Sequence, residues 1–232
     1  MKERIAELMR GPKSRTAGVV YLSYFLTTIL GAVLTPGAPG DILAHQSLFR
    51  WGFAITTISL ALYVAVTALF YQLFRPVDRG IALLAAFFSL VGCVMQAAGS
   101  VFQLIALAIL GGSQYRGVFS PEQVHALAQL SLDVNVQAGY VGIVFFGLFD
   151  IAIGYLILKS IFLPRIPGVL MVIAGVTWLT FLSPPFANSV LAVVEVAGFT
   201  AELVLMLWLL IVGVNVQRWA EQSAIQVHQE AF

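Results

Sequence analysis

Six separate stretches of this chain are each long and apolar enough to cross a lipid bilayer, and that property constrains its fold more than any other. A hydrocarbon layer about 30 Å thick takes about 20 apolar residues in helical form, whereas a barrel strand needs only about 10. Within that layer every backbone N–H and C=O must find an internal partner, and a run of helical length finds them in an α-helix. Composition agrees: 60% of the 232 residues are hydrophobic, 10% are charged, and the mean hydropathy is +0.95. A water-soluble globule is excluded. The expectation is an all-α, polytopic membrane helix bundle forming a single integral domain over residues 1–232.

The spans are expected at about 16–35, 48–74, 80–110, 137–158, 167–182 and 189–216. Pro36-Gly37-Ala38-Pro39-Gly40-Asp41 stops the first and Arg75-Pro76-Val77-Asp78-Arg79 the second, because neither proline nor this density of charge continues an apolar helix. Gly111-Gly112-Ser113 ends the third, Lys159 the fourth and Ser183-Pro184-Pro185 the fifth. Arg218-Trp219, a cation beside an interfacial aromatic, is expected to close the sixth. The segment 111–136 falls outside the bilayer. Within it Ser120-Pro121-Glu122-Gln123 has the spacing of a capping box with proline at the first helical position, so a helix is expected from about 121. Val124, Leu127, Leu130 and Val134 give it an apolar stripe. Either that helix lies along the outer surface, or the fourth span simply projects beyond it.

An even number of spans puts both chain ends on one side. That side then carries Lys2, Arg4, Arg10, Lys13, Arg15, Arg75, Arg79, Lys159, Arg165 and Arg218, leaving Arg50 and Arg116 on the other. Basic residues near span ends are retained in the cytoplasm, so both termini are expected there. The first span reads as a retained signal anchor, since its apolar run is too long for a cleaved signal peptide and no A-x-A-like site follows it. Residues 2–10 carry Ile5, Leu8 and Met9 on one face, suiting a helix on the inner surface or a solvated tail equally.

Several functions are excluded or disfavoured. Twelve basic against eleven acidic residues leave a net charge of +1, no field with which to hold nucleic acid. A lone cysteine, Cys93, makes no intrachain disulfide or cysteine-rich metal site, and His45, His125 and His228 all lie outside the apolar stretches, where they would not hold a haem within the membrane. Serine-elbow, zinc-helix, Walker and dinucleotide-turn patterns are missing from the sequence. No metal and no cofactor are therefore expected, and the balance leans away from an enzyme. The partners expected are the lipid bilayer and a small molecule or ion, with nothing to identify a protein partner.

Against this apolar background the intramembrane carboxylates stand out. An ionisable side chain at the centre of a span is disfavoured by about 2.5–3.5 kcal/mol on insertion scales, which makes each a functional candidate. Asp150 and Glu202 fall near mid-depth in the fourth and sixth spans, and Glu195 lies shallower, seven residues from Glu202 and on the same helical face. No basic residue sits at that depth, so burial favours the neutral, protonatable carboxyl, able to exchange a proton, bind a cation or hydrogen-bond a neighbouring helix. Arg50, at the outer end of the second span, either pairs with Glu195 or snorkels to headgroups. In the third span Gln96 and Gln103 share a face with Gly92 and Gly99 nearby, a pattern of helix packing. The leading reading is ion- or proton-linked handling or sensing of a small molecule through these carboxylates. Its rivals are an accessory subunit in which they only join helices, and an intramembrane lipid-modifying enzyme using them as acid and base.

From the third span onward the chain resembles a bacterial membrane-protein family known as domain of unknown function 4386. The resemblance lies in Leu90-Val91-Gly92-Cys93 with Gln96 and Gly99-Ser100, Val144-Phe145-Phe146-Gly147, Gly154-Tyr155-Leu156-Ile157, Phe162-Leu163-Pro164-Arg165, Leu179-Thr180-Phe181-Leu182-Ser183-Pro184-Pro185, and Glu202 followed by Leu207-Trp208-Leu209-Leu210 and Gly213-Val214-Asn215-Val216. Ser89 stands where the family pattern leads one to expect a basic residue. The resemblance implies a multi-spanning protein of the bacterial inner membrane, draws attention to Glu202, and implies no activity.

Overall fold

The computed structural model describes residues 12–229, so the surface segment expected at 2–10 lies outside the described residues. Ten helices follow in order among them: α1 (Ser14–Leu34), α2 (Pro39–Ala44), α3 (Gln46–Phe74), α4 (Arg79–Gly111), α5 (Ser113–Arg116), α6 (Pro121–Lys159), α7 (Arg165–Trp178), α8 (Pro184–Ser189), α9 (Leu191–Leu207) and α10 (Val216–Gln229). A 3₁₀ turn, Leu179–Leu182, extends α7, and a π turn, Trp208–Val212, extends α9. Six of these units are long and apolar enough to cross a membrane: α1, α3, α4, α6, α7 with its 3₁₀ turn, and α9 with its π turn.

Local chemistry sets the boundaries. Asp78 caps α4, its carboxylate accepting the Ile81 N–H at 2.9 Å. Ser120 and Gln123 close a reciprocal capping box at the start of α6, with the Ser120 hydroxyl accepting from Gln123 N at 3.3 Å and the Gln123 amide oxygen accepting from Ser120 N at 2.9 Å. No break follows. The helix continues unbroken for 39 residues, about 58 Å at 1.5 Å per residue, so its first turns project past the bilayer. Its buried face there is Val124, Ala128 and Ser131, packed toward Ile42, Phe49 and Leu110, while Leu127, Leu130 and Val134 stay exposed. Of the apolar stripe only Val124 makes this contact, and the small Ala128 completes it.

The sixth span ends earlier than its hydropathy suggests. Gly213 adopts φ +76°, a left-handed conformation open to glycine, and turns the chain out of the π turn beside Ser14. Asn215 then starts α10 by accepting the Arg218 N–H at 3.1 Å. Trp219 therefore lies in α10 rather than at the end of the sixth span. It is buried, its indole N–H donating to the Leu73 carbonyl at 2.9 Å, and it anchors α10 beneath the bundle. Gln222 accepts from Ile161 N at 3.1 Å and fastens the same helix to the loop between α6 and α7.

The spans pack as a closed ring in chain order, α1 against α3, then α4, α6, α7 and α9, with α9 and its π turn returning to α1. Lipid tails are as apolar as leucine, so close van der Waals approach rather than hydrophobicity joins such helices, and small residues permit it. Gly147 and Gly154 of α6 face Gly175 and Gly168 of α7. A Cβ on Gly154 would stand 2.7 Å from the Gly168 carbonyl oxygen, and one on Gly175 would stand 2.5 Å from that of Gly147. At the ring closure a Cβ on Gly18 would meet the Leu210 backbone nitrogen at 2.5 Å. One end of the ring gathers Lys13, Arg15, Arg75, Arg79, Lys159, Arg165 and Arg218 and is called the basic end below; Arg50 lies toward the opposite, far end.

Candidate functional site

Each of the six spans contributes a side chain to the centre of the ring: Tyr21 from α1, Tyr63 from α3, Cys93 from α4, Phe149 and Asp150 from α6, Met171 from α7 and Leu205 from α9. Asp150 is 0% exposed. It lies nine residues from the end of α6, about 14 Å from the basic end, and Glu202 lies ten residues before Val212 at about 15 Å, so the two carboxyls share a depth. They are close enough to interact electrostatically. Glu202 is half-buried, unlike Asp150.

The polar surroundings of Asp150 are incomplete. Neither carboxylate oxygen has a hydrogen-bond partner, although both are buried. The nearby Trp178 indole falls short of hydrogen-bond geometry. Trp178 is placed by a glycine: its ring lies against Gly198 of α9, where an added Cβ would collide with Cζ2. Tyr21 likewise has a buried hydroxyl without a partner, and that hydroxyl neighbours Glu202. Aromatic rings wall the remainder. Tyr24 and Tyr63 approach to 4.6 Å between centroids, Tyr63 and Phe146 to 5.0 Å, and Tyr21 stands edge-on to Phe70 at 5.6 Å. Among the described residues no group of three His, Cys, Asp or Glu side chains gathers in a form that would hold a metal ion.

A buried carboxyl that joins helices would be held by a donor from the helix it joins. Such a joint does exist elsewhere in the ring, where Thr67 of α3 and Ser89 of α4 share a hydrogen bond of 2.6 Å. Asp150 has none, so its surroundings leave two acceptor oxygens open to a proton, water or cation.

The remaining sequence candidates do not join this centre. Glu195 and Arg50 are both exposed, on helices that do not pack directly together, and no ion pair joins them among the described residues. Gln96 lies in the α4–α6 contact, where a Cβ on Gly142 would meet its Cγ at 3.2 Å, and Gln103 is half-buried on the same helix further toward the far end. Gly92 and Gly99 serve the same contact: added Cβ atoms would meet the Phe146 ring at 2.7 Å and the Ala138 side chain at 2.8 Å. Tyr21, Tyr24, Tyr63 and Trp178 are the site residues that sequence reading passed over. Their signal was weak, because tyrosine and tryptophan are grouped with the hydrophobic residues and carry no charge to mark them within a span.

The model of a family described as "Domain of unknown function (DUF4386)" matches residues 16–213, which include every residue of this centre. No curated protein and no solved structure matches the chain.

Proposed function

The chain belongs to this family of unknown function, DUF4386, which lends it no activity, and we propose from the geometry alone that it exchanges protons or a small monovalent cation within the membrane at Asp150 and Glu202. The observation that carries this reading is the buried Asp150 carboxyl, whose two oxygens have no partner. A group so disfavoured in an apolar interior is accounted for by what it can take up. With only two carboxyls at the centre, a proton or a singly charged ion suits the site better than a divalent ion needing six or more oxygens. Glu202, half-buried at the same depth, is the partner to which the charge passes, and Tyr21 of α1 brings a hydroxyl beside that carboxyl. A small molecule coupled to this exchange would enter the same centre. The basic end faces the cytoplasm in this reading, as the distribution of lysine and arginine favours.

Purified protein in sealed vesicles carrying an internal pH dye tests the proposal. An imposed potential should drive proton or sodium movement through the native protein, and Asp150→Asn and Glu202→Gln should each abolish it while remaining folded by circular dichroism. Movement at the native rate in both variants would overturn the reading. If both variants fold but the native protein moves no ion under any gradient, the carboxyls are better read as parts of an accessory subunit.

A further inference from the structure

Resting on that reading of Asp150 and Glu202, we infer that the carboxyl pair communicates with the far end through a narrow hydrated path along α1, past Tyr21, Tyr24 and Thr28, and is sealed from the basic end. Hydroxyl accounting along the spans carries the inference. A serine or threonine in a membrane helix ordinarily satisfies itself by donating to a carbonyl three or four residues earlier. On α1 itself Ser23 donates to Val19 O at 3.0 Å, Thr27 to Ser23 O at 2.8 Å and Thr35 to Gly31 O at 2.8 Å. Thr28 does not: its hydroxyl is buried and has no partner.

Among the described residues the buried side-chain oxygens without a partner are Tyr21 Oη and Thr28 Oγ1 on α1 and the two of Asp150, which neighbours Tyr21. Buried polar atoms left open in this way are where water sits in proteins, provided the site is polar and offers several partners. Tyr21, Tyr24 and Thr28 occupy one face of α1 at spacings of three and four, rising about 10 Å from Tyr21 toward the far end. Tyr24 brings a second hydroxyl beside Thr28 on that face. Beyond them the side chain of Thr56 comes close to Gly31 of α1, continuing the polar line.

In the opposite direction the chemistry changes. Between the carboxyls and the basic end stand Phe70, Phe74 and Phe162, the first two edge-on at 5.9 Å between centroids and the last two stacked at 6.2 Å, all buried, with Trp219 buried beneath. Thr67 and Ser89 satisfy each other, and nearer that end the buried Ser160 donates to Ile157 O and Ser223 to Trp219 O, each at 2.8 Å. An apolar plug with no open acceptor does not conduct water.

Thiol accessibility tests the path without any transport assay. In a Cys93→Ser background reconstituted in vesicles, Thr28→Cys should react with a membrane-impermeant methanethiosulfonate added at the far side. It should do so about tenfold or more faster than Thr27→Cys or Thr67→Cys, because the reacting thiolate forms only in contact with water. Tyr24→Cys provides the same test if Thr28→Cys does not fold. A Thr28→Cys no faster than Thr27→Cys, or a Thr67→Cys that reacts readily from the basic side, overturns the path. Labelling of Thr28→Cys in a protein that moves no ion would support the path while refuting ion exchange; persistent ion movement with an unreactive Thr28→Cys would do the reverse.

Discussion

Replacing Asp150 by valine should make the protein more stable. The substitution removes two buried oxygens that no donor satisfies, from a side chain that is 0% exposed. Placing an aspartate at the centre of a spanning helix is disfavoured by about 2.5–3.5 kcal/mol on insertion scales, and an unsatisfied buried polar group costs about 1–3 kcal/mol in folded proteins. Valine is close to aspartate in size and in helix propensity, so little packing or backbone energy is given up. The net expectation is a gain of about 1–3 kcal/mol. The assay is unfolding in mixed micelles titrated with a denaturing detergent, followed by circular dichroism and analysed only if the transition is two-state. Thr67→Val is the control: it breaks the Thr67–Ser89 bond of 2.6 Å and should lower stability by about 0.6–1.7 kcal/mol, the range of hydrogen bonds between membrane helices. A loss from Asp150→Val as large as the control's would refute the reasoning, since it would mean that Asp150 holds helices together.

Three further outcomes follow from the packing. Gly154→Leu should prevent α6 from meeting α7 and lower stability by roughly 3 kcal/mol or abolish folding, because even a Cβ there would stand 2.7 Å from the Gly168 carbonyl; detergent unfolding reads it. Trp219→Phe removes the donor to the Leu73 carbonyl and should cost about 1 kcal/mol while quickening proteolysis of α10 in native vesicles. Ser120→Ala should loosen the first turns of α6 by about 1 kcal/mol, seen as faster amide exchange at Gln123 and Val124 with the membrane-embedded part of the helix unchanged.

The bundle was largely legible in the sequence, because a span announces itself by length and apolarity alone. Asp150 and Glu202 were legible for the same reason, two charges in a background nearly without them. What escaped were features carried by geometry. Glu195 lies seven residues from Glu202 yet is exposed, because the buried face of α9 at its level runs through Val194 and Gly198 instead. The π turn and the break at Gly213 occur inside an unbroken apolar run, where hydropathy has no contrast to register. The glycine contacts between α6 and α7 were visible in principle, as two pairs spaced by seven residues, Gly147 with Gly154 and Gly168 with Gly175. The tyrosine wall was not, since only the ring closure reveals that Tyr21 and Tyr63 share a centre with the two carboxyls.

Infrared difference spectroscopy of reconstituted protein across a pH step asks directly whether Asp150 takes up and releases a proton or joins helices. A protonated-carboxyl band should change with pH, shift in deuterated water, and disappear in Asp150→Asn. A band unchanged by Asp150→Asn, or an Asp150 carboxyl that neither responds to pH nor exchanges with deuterated water, would contradict proton exchange at that carboxyl.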